Sequence, residues 1–128
     1  MMKLLTGENG FTLVEIIAVM VILSVLAAVA IPRYMSLDES ARQRAIDAGI
    51  SELNGRETLT WSNIKITLTG YVDDTTLFSS IDTTLGGDYD WVGDPPAADG
   101  GTLRFRTSIS VTLTRSESTN IHPGHWSR

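Results

Sequence analysis

The sequence predicts an α+β chain in which a long amino-terminal helix packs on a small antiparallel β-sheet. Three patterns support this: an apolar run from Phe11 to Ile31, a helical apolar period after it, and an alternation of apolar and polar residues nearer the carboxyl terminus. The 128 residues carry a net charge of -5 and no cysteine, and this length suits one domain. The lack of cysteine excludes disulfides and thiolate metal sites, and the acidic balance argues against non-specific nucleic-acid binding.

The apolar run is long enough to cross a lipid bilayer. It contains 21 residues, of which only Thr12, Glu15 and Ser24 are polar. As a helix it would be about 31 Å long, which matches the hydrocarbon core of a membrane. A cleaved secretory signal peptide is the alternative, but its apolar region usually has only about 7–15 residues and carries no carboxylate. We therefore expect a helix over 11–31 that stays in the membrane.

Glu15 is the unusual residue in this run. An ionised carboxylate inside a membrane costs on the order of 2.5–3.5 kcal/mol, so such residues are functional candidates. Its place about one turn inside the run would let the side chain reach the interface, which explains why it is tolerated but not why it is there. A positive group on a neighbouring chain, such as a free α-amino terminus, would neutralise it.

The string Gly-Phe-Thr-Leu-Val-Glu from Gly10 to Glu15, followed by the apolar run and Pro32, resembles the amino-terminal signal of type IV pilins and type II secretion pseudopilins. The resemblance covers about 7–35. It implies that a prepilin peptidase removes a leader over 1–10 by cutting between Gly10 and Phe11, and methylates the new amino terminus of Phe11. It also implies that Glu15 pairs with the amino terminus of an adjacent subunit during assembly.

This resemblance implies a structural subunit rather than an enzyme. The chain would be a single-pass protein of the bacterial inner membrane with its amino terminus in the cytoplasm. A pilus or secretion assembly platform would then polymerise it into a periplasmic or cell-surface filament of identical subunits. A secretion pseudopilin, a minor pilin or adhesin, and a signal-anchored periplasmic binding module that never polymerises remain alternatives. The residues themselves contain no recognisable catalytic constellation.

After the membrane segment we expect an amphipathic continuation of the helix over 32–55. Pro32 removes a backbone donor and should kink or locally melt the helix. The predicted apolar stripe, which should pack on the sheet, consists of Tyr34, Leu37, Ala41, Ala45, Ala48 and Glu52. The pair Asn54-Gly55 is a plausible stop, although Glu57 and Trp61 could extend the helix past it.

The remaining region, 56–128, should form a β-rich globular domain. Alternation at Ile64, Ile66 and Leu68 predicts a short strand, and Asp73 should cap a short helix that ends at Gly86-Gly87. Tyr89 and Trp91 should lie in a brief strand. The alternation from Leu103 to Leu113 predicts a hairpin with its turn at Thr107-Ser108.

No cofactor is required by the sequence, but calcium is possible. Seven Asp and no Lys or Arg lie between Asp73 and Asp99. Oxygen ligands in a Gly-rich loop suit calcium, and the candidate ligands are Asp88, Asp90, Asp94 and Asp99. Solvated turn carboxylates are the alternative.

Two further features concern the carboxyl-terminal tail. His122 and His125 flank a Pro-Gly pair, and two imidazoles are too few for a closed zinc site. Many pilins staple this region with a cysteine pair, which this chain lacks, so the resemblance leaves Trp126 packing or calcium as the available substitutes.

Overall fold

The computed structural model describes residues 10–93 and 95–128. The predicted leader, apart from Gly10, and Asp94 of the predicted calcium set lie outside the described residues. The chain divides into two compact units: the amino-terminal unit ends at Asp38, and the carboxy-terminal unit runs from Glu39 to Arg128. The helices and strands of the chain are α1 (Leu13–Lys65), α2 (Asp74–Ser79), β1 (Tyr89–Trp91), β2 (Gly100–Phe105), β3 (Ile109–Ser116) and β4 (His125–Ser127). The predicted α+β class is confirmed.

Helix α1 is longer than the sequence predicts. It continues through Pro32, so the local melting expected there does not occur, whereas a bend at Pro32 stays a prediction. It also passes Asn54-Gly55 and ends only at Lys65, so the predicted stop is wrong. A glycine inside a helix costs about 1 kcal/mol, which the buried contacts of Leu53 and Glu57 on either side of Gly55 outweigh.

The strand predicted over Ile64–Leu68 is also wrong, because α1 continues to Lys65. Ile64 belongs to the last turn of α1, and the chain turns directly after it. Ile66 and Leu68 are 85% and 108% exposed, so their alternation with threonines does not correspond to a buried face.

The buried face of α1 also differs from the predicted stripe. Of the predicted residues, Ala45 is half-buried and the others are exposed. Within the carboxy-terminal unit, the buried face of α1 consists of Ile46, Gly49, Leu53 and Glu57. A glycine and a glutamate in this stripe explain why a search for apolar periodicity does not find it.

Within the described residues, β1 to β4 form one antiparallel sheet in the order β1-β2-β3-β4. Phe105 pairs with Ile109 at the end of the β2–β3 ladder, so the predicted hairpin is confirmed, with residues 106–108 as its loop. Arg106 there has a φ of 50°. One face of the sheet contributes to a core that contains Ile46, Leu53, Leu85, Leu103, Leu113 and Trp126.

Helix α2 has the predicted amino-terminal cap. The Asp73 carboxylate accepts a hydrogen bond from the Thr76 amide at 2.7 Å, which satisfies a donor at the helix start. The helix ends at Ser79, before the predicted Gly86-Gly87. Leu77 is its buried residue.

Candidate functional site

The start of α1 is organised by Thr12 and Glu15. The Thr12 amide donates to Glu15 Oε2 at 2.7 Å, and the Glu15 amide donates to Thr12 Oγ1 at 3.2 Å. This reciprocal pair is a capping box, in which a hydroxyl and a carboxylate each satisfy a backbone donor of the first turn. The Thr12 hydroxyl also donates to Glu15 Oε2 at 2.9 Å. Gly10, Phe11 and Thr12 precede the helix, so the predicted cleavage point lies in non-helical backbone.

The capping box uses one oxygen of the Glu15 carboxylate. Both bonds from Thr12 end on Oε2. Within the described residues, Oε1 accepts no hydrogen bond. Glu15 can therefore cap its own helix and still present an oxygen to a second donor.

The third polar residue of the apolar run is also satisfied locally. Ser24 Oγ donates to the Met20 carbonyl at 2.7 Å, a common way to accommodate a hydroxyl in a helix. Each of the three polar side chains in the run thus has a hydrogen-bond partner in its own chain, as a lipid environment requires.

The apolar side chains of this segment are exposed along its length. The exposed fractions of its large apolar residues range from 43% at Ile16 to 84% at Phe11. By length and composition α1 contains a stretch able to cross a membrane. A surface of this size needs an apolar partner, which in a membrane-length helix means lipid or other apolar helices.

Comparison with known proteins agrees with this geometry. Residues 5–31 match the family described as the prokaryotic N-terminal methylation motif. The amino-terminal segment is similar to those of type IV pilins and pseudopilins. This motif and the apolar helix fit a membrane-anchored pilin.

A curated relative shows the same likeness. Over 40 residues the chain is 46% identical to the Type IV narrow pilus major component PilA5 of Thermus thermophilus. That stretch covers 31% of this chain and 34% of the relative, so the match spans about a third of either protein. No solved structure matches the chain.

Outside the pilin-like segment, two of the predicted calcium ligands, Asp88 and Asp90, lie in separate ion pairs. Asp88 binds the Arg106 guanidinium at 3.1 Å, and Asp90 binds Arg104. The Asp99 carbonyl accepts a hydrogen bond from the Arg115 amide at 2.8 Å. The described residues contain no group of three or more carboxylates or imidazoles placed to hold a metal. Because Asp94 is not among them, calcium binding stays a prediction.

The carboxy-terminal unit is built around a buried ion pair between α1 and β3. Arg115 and Glu57 are both 0% exposed in their side chains. Arg115 Nε donates to Glu57 Oε2 at 3.0 Å and Nη2 donates to Oε1 at 2.6 Å. This two-point geometry is the strongest form of an arginine–carboxylate contact.

The same guanidinium also binds α2. Arg115 Nη1 and Nη2 donate to the two Asp74 oxygens at 2.9 and 2.7 Å, and Nη1 donates to the Ala98 carbonyl at 2.9 Å. Arg115 has five N–H donors, so the described contacts use its full donor capacity. A buried pair contributes to stability only when its remaining donors are satisfied in this way.

The electrostatics of Asp74 follow from these contacts. Burial by itself raises the pKa of the Asp74 carboxyl, but hydrogen bonds from Arg115 and Ser118 outweigh burial and lower the pKa to about 2. The Ser118 amide and hydroxyl donate to Asp74 Oδ1 at 2.7 and 2.6 Å. Burial acts to lower the pKa of Arg115, and the bonds to Asp74 and Glu57 raise it above its ordinary value.

Sequence reasoning identified Trp126 as an anchor of the tail and missed its polar partners. Trp126 is 0% exposed and its indole donates to Glu57 Oε2 at 3.2 Å. The Asn54 side chain binds the Trp126 backbone twice: Oδ1 accepts from its amide at 2.7 Å and Nδ2 donates to its carbonyl at 3.0 Å. Arg115 carried one sequence signal, since it lies two residues after Leu113 and would continue the apolar alternation of the predicted hairpin with a charged residue.

Proposed function

We propose that this chain is a prepilin-type subunit that is processed at its amino terminus and assembled into a filament through α1. In this proposal a prepilin peptidase cuts between Gly10 and Phe11 and methylates Phe11. An inner-membrane assembly platform then moves the apolar helix from lipid into a bundle of identical helices. The observation that carries the proposal is the methylation motif over 5–31, which overlaps a helix with an exposed apolar surface.

The capping box supports a specific role for Glu15. Cleavage before Phe11 would create a cationic amino terminus one residue from Thr12. Glu15 Oε1 accepts no hydrogen bond from the described residues and is available to such an amine from a neighbouring subunit. Charge pairing would remove the cost of keeping the carboxylate in an apolar layer.

A pilus is favoured over a secretion pseudopilus by one observation. The curated relative carries the name of a major pilus component. Because it shares only about a third of its length with this chain, the assignment to a pilus remains part of the proposal.

Mass spectrometry of the protein purified from membranes tests the processing step. We expect the amino-terminal peptide to begin at Phe11 and to carry one added methyl group. A Gly10→Leu variant is the matched control, because a bulky side chain before the cut should preserve the leader while leaving membrane insertion unchanged. A terminus at Met1 or at Ile31 in the wild-type protein would contradict the proposal.

A second experiment separates the charge of Glu15 from its capping role. Glu15→Gln keeps an oxygen that can accept from the Thr12 amide but removes the charge, so we expect membrane insertion without filaments. Thr12→Val removes the capping hydroxyl and keeps the charge, so it should weaken the first turn by about 1 kcal/mol and still allow assembly. Electron microscopy and a membrane fractionation give the two readouts. Filaments in Glu15→Gln would exclude a charge-pairing role.

A further inference from the structure

The apolar run ends at a boundary that carries Arg33 and Tyr34. Arg33 is the first charged residue after Glu15, since none of the residues 16–32 is Asp, Glu, Lys or Arg. Helix α1 continues across this boundary, and the steps from Glu15 to Arg33 correspond to a rise of about 27 Å. The hydrocarbon core of a bilayer is about 30 Å thick. With Glu15 at one face of that core, Arg33 would lie close to the other.

The Arg33 guanidinium has no partner in the part of the chain that the structure describes. Its side chain makes no hydrogen bond or ion pair there, although the Arg33 carbonyl accepts a hydrogen bond from Ser36 Oγ at 2.9 Å. Helix positions three and four residues away could supply a carboxylate, but they hold Val29, Ala30, Ser36 and Leu37. The five N–H donors of this exposed guanidinium are therefore available to an anion from outside the chain.

Most other basic side chains of the described residues are already engaged. Ion pairs with carboxylates engage five of them: Arg56, Arg104, Arg106, Arg115 and Arg128. Arg42 and Lys65 also have partners. Among the described residues only Arg44 resembles Arg33 in making no such contact. The position at the end of the apolar run distinguishes Arg33 from Arg44.

The residues after Arg33 have the composition of a segment at a membrane surface. Tyr34, Met35 and Leu37 are 73%, 66% and 68% exposed, and the Tyr34 hydroxyl makes no hydrogen bond within the described residues. Tyrosine is enriched at this depth because its ring is apolar and its hydroxyl is polar. The headgroup region adds roughly 5–7 Å on each side of the core, which is about four or five residues of helix. The segment 33–37 therefore matches the headgroup region in length and composition.

A lipid phosphate is the anion that this setting offers. Phospholipids place a phosphate at each face of the hydrocarbon core, and a guanidinium binds phosphate through two parallel N–H···O bonds. Basic residues beside a membrane helix favour the cytoplasmic side, whereas an amino terminus in the cytoplasm would place Arg33 on the opposite side. A phosphate contact accounts for that position, because both leaflets contain phosphate.

We propose that Arg33 and Tyr34 form a headgroup anchor, in which the guanidinium binds the phosphate of a membrane lipid and the tyrosine ring lies among the headgroups. The anchor holds the end of the apolar run at the membrane surface while the subunit is in lipid. This inference rests on the membrane location in the proposed function, but not on cleavage, methylation or filament assembly. Transfer of α1 from lipid into a filament then requires the phosphate contact to be broken.

Solid-state NMR of the full chain in vesicles of phosphatidylethanolamine and phosphatidylglycerol tests the anchor. The guanidinium nitrogens carry ¹⁵N, and their dephasing by lipid ³¹P reports whether they lie close to phosphate. We expect dephasing in the wild-type protein and its loss in Arg33→Gln, whereas the matched control Arg44→Gln should keep it. Glutamine is a good helix former and Arg33 is exposed, so Arg33→Gln should still fold and insert.

A depth measurement tests what the anchor does. Because the chain has no cysteine, a single nitroxide attached to Ala28→Cys reports the depth of the apolar run. Arg33→Gln and Tyr34→Ser should each move this label toward the centre of the bilayer and lower its collision rate with a water-soluble nickel chelate. Arg44→Gln should leave the collision rate unchanged.

Three results would overturn the anchor. The first is dephasing that persists in Arg33→Gln. The second is inserted wild-type protein without dephasing, the result expected if Arg33 pairs with a carboxylate of a second copy. The third is dephasing by inorganic phosphate added to the chain in detergent micelles without phospholipid, which would indicate a general anion site. A chain that does not enter the vesicles would instead contradict the proposed membrane location and the anchor with it, so the two failures are distinguishable.

Discussion

Gly49 lies where α1 comes closest to the sheet. A Cβ at this position would be 2.9 Å from Tyr89 Cε1 and 3.2 Å from Leu103 Cδ2, both shorter than ordinary van der Waals contacts. The Tyr89 ring cannot easily move aside, because its hydroxyl donates to the Ala45 carbonyl at 2.7 Å and its ring packs on Phe105. The absence of a side chain at Gly49 therefore sets the helix–sheet distance.

We expect Gly49→Ala to destabilise the carboxy-terminal unit by roughly 1–2 kcal/mol, because overpacking outweighs the better helix propensity of alanine. Gly55→Ala is a matched control on the same helix, since nothing lies within 4 Å of a Cβ there, and it should stabilise by about 0.5–1 kcal/mol. Urea unfolding followed by tryptophan fluorescence measures both. Equal effects of the two substitutions would show that the close approach at Gly49 does not limit packing.

At the scale of the elements, the sequence predicted correctly those structures that depend on residues close together in the chain. The Asp73 cap of α2 and the β2–β3 hairpin follow from local hydrogen bonding and a two-residue period, and both are confirmed. The amino-terminal string was equally local, and its family resemblance is confirmed by the motif over 5–31.

The predictions of the end of α1 and of its buried stripe failed because both depend on contacts between residues far apart in the sequence. Helix α1 passes Gly55 because Glu57, two residues later, binds Arg115 across 58 positions of sequence. The buried stripe of α1 includes Gly49, whose burial depends on the approach of β1 and β2. Neither contact can be deduced from apolar periodicity, because one residue is charged and the other has no side chain.

At the scale of the whole molecule, polar contacts close the carboxy-terminal unit in a chain without cysteine. Arg115 on β3 joins Glu57 of α1 to Asp74 of α2, and its guanidinium lies 4.9 Å from the Phe78 ring centroid. The Trp126 packing expected from the sequence is present, and it adds a hydrogen bond to the same glutamate. Unlike a disulfide, a closure of this kind depends on charge and so on pH.

We expect the carboxy-terminal unit to lose stability in acid because of Asp74. The pKa of the Asp74 carboxyl in the folded protein, about 2, lies below the ordinary 3.8. Its contribution to the free energy of unfolding is therefore fully present above pH 3.8 and is lost as the pH falls through 2. The contribution is at most about 2 kcal/mol. Urea midpoints between pH 5 and pH 2 should therefore fall in the wild-type protein and fall less steeply in Asp74→Asn, which has no carboxyl to protonate. Asp99→Asn, whose carboxylate binds none of the described residues, should retain the wild-type slope. If the urea midpoint of Asp74→Asn fell with pH as steeply as that of the wild-type protein, the loss of stability in acid would come from other carboxylates and not from Asp74.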